Sequence, residues 1–167
     1  MIKKLAILAA VAALLKVSGL LPFQTTDVAQ LKPVEALVVS VEDGTVLLRS
    51  GEAIGVGADW PSALNDLRQG AEGTLFLGTT EQVILCGRAV DLLEQVARSE
   101  DLRPGTMVVA CGEEQVDPKQ AATYLSSHNS GVTLGRVRAA MLRKESVVLQ
   151  ELVNTEGGLR LYDPSRR

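Results

Sequence analysis

The sequence predicts an α/β or α+β fold, a single domain in which helices flank a mixed β-sheet. Short runs of β-branched and aliphatic residues recur between turn signals, which is typical of strands. Two of these runs, Gln82–Cys86 and Thr106–Cys111, flank a helical pattern over Gly87–Arg98, which is the composition of a βαβ unit with parallel strands. Hairpin patterns before and after this unit predict that the sheet is mixed.

The first hairpin joins Val34–Val41 to Thr45–Arg49 through the turn Glu42–Gly44. Ser50–Ala58 contains three glycines and either extends the second strand or forms a loop. Its Gly-Val-Gly at 55–57 matches the start of a dinucleotide fingerprint, but Trp60 stands where the third glycine belongs. We therefore interpret this segment as a flexible loop without a phosphate site.

A helix opens at Asp59-Trp60-Pro61, because Asp is a preferred N-cap and Pro is tolerated in the first turn. Apolar residues at helical spacing continue it to Gly70 or Gly73. The remaining predicted elements are a strand over Thr74–Leu77, a helix over Asp117–Leu125, a polar break over Ser126–Gly131, a helix over Val132–Lys144, and a hairpin of Ser146–Val153 and Leu159–Tyr162 about the turn Asn154–Gly158.

Composition narrows the function classes. The chain has 167 residues, of which 46% are hydrophobic and 22% charged, so it can build a core and is not disordered. A net charge of −3 without a basic stripe argues against nucleic-acid binding. Two Cys and one His are too few for a zinc module.

The N-terminus has the layout of a signal sequence, in which Lys3 and Lys4 precede the apolar run Leu5–Leu15. We assign residues 1–22 to a signal peptide or membrane anchor, 23–32 to a linker and 33–167 to an extracytoplasmic α/β domain. Cleavage before Leu20 and retention of Leu5–Phe23 as a spanning helix both remain open. In either case, the domain is expected on the outer face of the membrane.

The sequence offers no recognisable catalytic, cofactor or metal-binding set, so we expect a non-enzymatic protein. His128 lies beside Ser126 and Ser127, but no third group is placed to orient it, and we interpret it as an exposed loop residue. The acidic residues Glu113, Glu114 and Glu151 show no pairing suited to glycoside hydrolysis.

The two cysteines each end a predicted strand of the βαβ unit. If these strands are neighbours in register, Cys86 and Cys111 lie about 5 Å apart, inside the disulfide range. Export permits oxidation, so a disulfide is one interpretation and a pair of buried core thiols is the other.

Four segments carry a family resemblance. They are Asp27–Leu37 with the turn Glu42–Gly44, Ser62–Leu67, Leu75–Ala89 and Asp101–Gly112. Together they resemble the N-terminal domain of the Ger(x)C spore germination proteins, the C subunits of germinant receptors. Leu20 stands where that family has its lipid-bearing Cys, and Thr79 where it has a strand-entry His. Family members are about twice as long.

The resemblance implies an extracytoplasmic, membrane-associated protein of spore germination or sporulation, with membrane-embedded germinant receptor subunits as partners and no catalysis. Without the lipid-bearing Cys, attachment to the membrane would depend on the N-terminal helix. The spore inner membrane is the implied location.

For partner contact we favour the loop Gly78-Thr79-Thr80-Glu81 together with the segment Gly51–Trp60. The single Trp, Trp60, is either a contact residue or, as its helical spacing favours, a core anchor. The alternative function is a small exported ligand-binding domain or hydrolase. It would use a groove at the carboxyl ends of the parallel strands, near Cys86 and Cys111 and lined by Glu113 or His128.

Overall fold

A seven-stranded mixed sheet forms the centre of the fold in the computed structural model, which describes residues 31–112, 116–128 and 131–164. The strands in chain order are β1 (Leu31–Pro33), β2 (Ala36–Glu42), β3 (Thr45–Ser50), β4 (Ala53–Gly57), β5 (Thr74–Phe76), β6 (Gln82–Cys86), β7 (Met107–Cys111), β8 (Glu151–Thr155) and β9 (Gly158–Tyr162). The sheet order is β4-β3-β2-β6-β7-β8-β9, and β1 pairs with β5 in a separate two-stranded sheet. The strands β2, β6, β7 and β8 run parallel to one another, and an antiparallel hairpin closes each side.

Within the described residues, four α-helices connect these strands. They are α1 (Trp60–Gly70), α2 (Leu93–Arg98), α3 (Pro118–Ser127) and α4 (Leu134–Arg143), with 3-10 turns at Leu77–Thr79 and Gly87–Leu92. Side-chain oxygens of Asp59, Asp117 and Thr133 accept hydrogen bonds from the first-turn amides of α1, α3 and α4. These caps satisfy amides that have no partner inside a helix, which explains where the helices begin.

Helices cover the two faces of the sheet unequally. The first face, which carries Leu37, Leu48 and Val83, packs against buried residues of α1, α2 and α4. On the second face, Ile84, Cys86 and other buried strand residues pack with Ala121 and Leu125 of α3. Parallel strands need cover on both faces, and the central strands have it.

The coarse fold prediction is confirmed, because the structure is a mixed α/β fold with helices on its sheet. The pairing of Gln82–Cys86 with the strand that follows the helix is parallel, as the βαβ pattern predicts. The predicted segment 1–22 and residues 23–30 of the linker lie outside the described residues. Of the helices in the described part, none is both long and apolar enough to cross a membrane.

One local prediction is wrong and two are right only in part. The flexible-loop interpretation fails because residues 53–57 form β4. The helix predicted over Gly87–Arg98 begins as a 3-10 turn, since Gly87 has φ +52 and bends the chain sharply at the end of β6. The strand predicted from Ser146 starts only at Glu151, because Val147 and Leu149 enter the first-face core from irregular backbone.

Both outer strands have a main-chain amide bonded to a side chain of a helix. The Val56 amide of β4 donates to Asp66 Oδ2 of α1 at 2.9 Å. The Leu161 amide of β9 donates to the hydroxyl of Tyr124 of α3, also at 2.9 Å.

Arg138 joins α4 to the end of α2. Its guanidinium donates to the carbonyl oxygens of Ala97, Ser99 and Leu102 at 2.6, 2.8 and 3.0 Å. We expect Arg138→Ala to lower the free energy of unfolding by about 2 kcal/mol, because three half-buried carbonyls lose a charged donor. Urea denaturation followed by circular dichroism measures the change. Arg138→Lys should restore only part of the loss, since an ammonium lacks the planar fork, and full recovery by Lys would contradict this assignment.

The cap of α1 makes stability depend on pH. The hydrogen bonds from Ser62 hold the pKa of Asp59 below its ordinary value of 3.8. Because the folded pKa is lowered, the stabilisation is complete above pH 3.8 and is lost as the pH falls through the lower folded value. We expect the urea midpoints of wild type and Asp59→Ala to differ at pH 7 and to converge in acid. A difference that stays constant down to pH 2.5 would contradict the ionic cap.

Candidate functional site

The described residues enclose a cleft of about 820 Å³. It lies at the edge of the sheet where β2 and β4 begin and β3 ends, and we call it the amino-edge cleft. Its walls come from four parts of the chain: Lys32–Ala36, Ser50–Ala53, Gly70–Glu72 with Leu75, and one face of α3 formed by Pro118, Lys119, Ala122, Thr123 and Ser126.

The sheet register explains why two of these segments meet. The strand β3 runs antiparallel to β2, with Arg49 opposite Val38, so the end of β3 lies beside the residues that lead into β2. The tight turn between β3 and β4 reaches the same edge, since Ser50 pairs with Ala53. Segments far apart in sequence therefore surround one cavity.

The charges in the amino-edge cleft are unevenly matched. Lys32 Nζ lies 3.7 Å from a carboxylate oxygen of Glu72. Glu35 and Glu52 are exposed and have no ion pair within the described residues, and the same is true of Lys119 on the opposite wall. Two carboxylates and one ammonium in the walls of the cleft thus have no ion-pair partner among the described residues.

The predicted contact loop adjoins this cleft. Thr79 Oγ1 accepts from the Val34 amide at 3.1 Å, and the Glu81 amide donates to the Glu35 carbonyl at 2.8 Å. Gly78 and Thr79 are half-buried and Glu81 is exposed. The Thr80 side chain is fully buried and cannot reach a partner, so this member of the predicted loop is corrected.

Trp60 lies at the other end of the sheet. Gly57, three residues before it, pairs with Val46, and Val46 pairs with Val41 near the carboxyl end of β2. The Trp60 side chain is only 2% exposed and belongs to the first-face core. It is the core anchor that its helical spacing favours, and its place in a contact surface with the loop 78–81 is wrong.

Two buried polar groups next to the cleft were missed by sequence reasoning. Thr80 Oγ1 and Gln82 Oε1 have no hydrogen-bond partner in the part of the chain that the structure describes, although both residues are at most 2% exposed. Gln82 pairs with Ala36, which lines the cleft. Buried unpaired groups cost stability. Trp60 Nε1 is another such group, at the opposite end of the sheet. Polar residues before a strand ordinarily predict an exposed turn, so nothing in the sequence indicates their burial.

The cysteines are direct register partners on β6 and β7. Both are buried thiols in this structure and face the second-face core. Neighbouring strands place their Cα atoms about 4.8 Å apart, within the range of a disulfide, so the disulfide stays a prediction. Alkylation in denaturant without reduction, followed by mass spectrometry, tests it: an unlabelled oxidised pair supports the bond, and two labelled thiols exclude it.

The residues considered for other chemistry are dispersed. The glycines of the dinucleotide-like motif lie in β4 directly under α1, where a phosphate has no room. His128 ends α3, stacks on Tyr124 with ring centroids 4.1 Å apart and is exposed. Glu113 and Glu114 lie outside the described residues.

The alternative groove at the carboxyl ends stays a prediction. The amino-edge cleft and a shallower groove of about 530 Å³ between α3 and Leu159 include neither cysteine nor His128 in their walls.

Comparison with models of protein families, with curated proteins and with solved structures finds no match for this chain. The resemblance to the Ger(x)C proteins therefore depends on the four sequence segments alone. Two of them, Leu75–Ala89 and Asp101–Gly112, supply the contact loop and the strands β6 and β7. The resemblance thus concerns the centre of the sheet and one border of the cleft.

Proposed function

We propose that this chain is a non-enzymatic extracytoplasmic protein, held at or delivered through a membrane by its N-terminal segment, that acts by contacting another protein. The observation that carries the proposal is the amino-edge cleft together with the adjoining loop 78–81. This concave surface combines apolar walls, hydroxyls and unpaired charges, as protein-binding surfaces do. The basic and apolar N-terminus supports delivery to the membrane.

The proposed partners are membrane-embedded subunits of a germinant receptor, and the proposed setting is spore germination or sporulation at the spore inner membrane. The support is the resemblance to the Ger(x)C N-terminal domain, whose motifs include the loop that borders the cleft. An acidic surface also favours a protein partner over nucleic acid or anionic lipid, because phosphates would be repelled.

Site-specific photocrosslinking in sporulating cells tests the proposal. A photoreactive amino acid replaces Glu81 beside the cleft in the full chain, and in a matched control it replaces Glu156 in the turn between β8 and β9, which is exposed as well. We expect a covalent adduct with a receptor subunit from position 81 and none from position 156. Mass spectrometry identifies the adduct.

Two results together would defeat the proposed function: no receptor adduct from position 81, and normal germination of a strain from which the gene is deleted. Equal adducts from both positions would show non-selective capture and would also count against it.

A further inference from the structure

We infer that the amino-edge cleft binds an extended segment of the partner protein that carries a basic side chain. This inference rests on the proposed function and deepens it, because it names the surface and the chemistry of what the surface holds. Three features of the cleft support it: the way main chain borders it, the hydrogen-bond acceptors in its walls, and its unpaired carboxylates.

Main chain forms two borders of the cleft. Lys32–Ala36 and Ser50–Ala53 are runs of consecutive residues, all of which line the cavity. Lys32 and Pro33 belong to β1, whereas Ser50–Ala53 is the tight turn between β3 and β4. In both runs consecutive residues line the cavity, so main-chain atoms as well as side chains border it. Among the described residues β1 pairs with β5 alone, which leaves its other edge open. Open strand edges bind extended peptides by main-chain hydrogen bonds.

Several groups at these borders can accept hydrogen bonds. Pro33 has no amide hydrogen and can offer only its carbonyl oxygen. Glu35 and Glu52 add carboxylate oxygens. The hydroxyls of Thr123 and Ser126 donate to the carbonyls of Lys119 and Thr123, so their lone pairs remain to accept. An extended peptide supplies the matching donors from its backbone amides, and a Lys or Arg side chain supplies several more.

Charge selects the basic side chain. Lys32 has a carboxylate neighbour in Glu72, 3.7 Å away, whereas Glu35 and Glu52 have no ion pair among the described residues. A cation there gains two carboxylate partners without displacing an existing pair. The ammonium of Lys119 on the α3 wall can donate to a carboxylate or a main-chain carbonyl of the bound partner segment.

The cavity volume fits a short segment. About 820 Å³ is within the range of pockets that hold drug-sized ligands, and a few residues of extended chain fill such a space. Ala53 and Ala122 line the cavity with small side chains, which leave its space unfilled. Only part of a longer partner would enter, and the loop 78–81 is placed to contact what flanks it.

The probe for this inference is a display library of random heptapeptides selected against the full chain in detergent micelles. Enriched sequences are then synthesised with a fluorescent label, and their affinity is measured by anisotropy. We expect enriched peptides to carry Lys or Arg. Each should bind about tenfold more weakly to the double variant Glu35→Lys/Glu52→Lys, since two attractive charges become repulsive. The control Glu100→Lys/Glu156→Lys changes net charge equally at exposed positions outside the cleft and should bind normally.

A steric pair of variants locates the peptide. Ser126→Trp places a large ring in the cleft, whereas Ser127→Trp alters the next exposed residue of α3, which does not line it. We expect binding to be lost in the first and kept in the second. Circular dichroism confirms that both variants remain folded.

Three outcomes would overturn the inference: no enriched peptide, enriched peptides without basic residues, or binding that Ser126→Trp leaves unchanged. These results are distinguishable from failure of the proposed function. A receptor adduct from position 81 with any of them leaves the proposed function standing and removes the cleft as the peptide site. Peptide binding at the cleft without a receptor adduct from position 81 would keep the cleft as a peptide site and count against the proposed function.

Discussion

Replacing Gly55 with alanine is expected to lower the free energy of unfolding by about 3 kcal/mol, because overpacking a tight contact forces the backbone to move. Gly55 lies in β4 beneath α1. A Cβ atom built there would be 2.3 Å from the carbonyl oxygen of Ala63 and 2.5 Å from the amide nitrogen of Leu67. Both are backbone atoms of α1, so no side-chain rotation can relieve the clash. Gly57 makes an equally short approach to the amide nitrogen of Ala63.

Gly70 provides the matched control within α1. A Cβ there would meet only the carbonyl of Ile54, at 3.7 Å, which is an ordinary contact. Gly70→Ala should therefore leave stability unchanged or raise it slightly, since alanine is the better helix former. Urea denaturation of both variants decides the matter. Equal stabilities for Gly55→Ala and Gly70→Ala would show that α1 is not seated directly on β4.

Truncation of Trp60 to alanine is expected to cost about 4 kcal/mol, the usual loss for a large aromatic side chain removed from a core. Its ring packs in the first-face core with Ala63, Leu64 and Leu67 of α1. Its main-chain amide also donates to Gln95 Oε1 at 3.2 Å, which ties the start of α1 to α2.

Trp60→Phe separates packing from hydrogen bonding. Trp60 Nε1 is buried without a hydrogen-bond partner in the described part of the chain, so phenylalanine removes an unsatisfied donor while keeping an aromatic ring. We expect its loss of stability to be less than half that of Trp60→Ala. Because this is the only Trp of the chain, its fluorescence reports the site directly, and emission at the wavelength of a water-exposed indole in the native protein would contradict its burial.

The parallel centre of the sheet was predictable because its signal is local. Met107–Cys111 and Gln82–Cys86 are almost wholly apolar, as strands buried on both faces must be. The strand β4 was not predictable from propensity, since glycines at 55 and 57 weaken any strand pattern. Their reason is the close approach of α1, a tertiary constraint that no local pattern records.

The site was predictable only in part for the same reason. The loop Gly78–Glu81 stands out as a polar turn between two apolar runs, and it borders the cleft. Trp60 was grouped with this loop because it ends the segment Gly51–Trp60. In the structure that segment runs along β4 from one end of the sheet to the other, so Trp60 lies at the end opposite to the loop. The cleft depends on strand order and register, which bring Glu35 near Glu52, and on the packing of α3 beside them.

The hydrogen bonds at the two outer strands bear on how copies of this protein behave when crowded. An open strand edge is a template on which a second molecule can continue the sheet, and that is how many β-proteins begin to aggregate. Here the Val56 amide is held by Asp66 and the Leu161 amide by Tyr124, so intermolecular strand addition would first have to break a bond on either side. One amide on each outer strand is therefore unavailable to a second molecule.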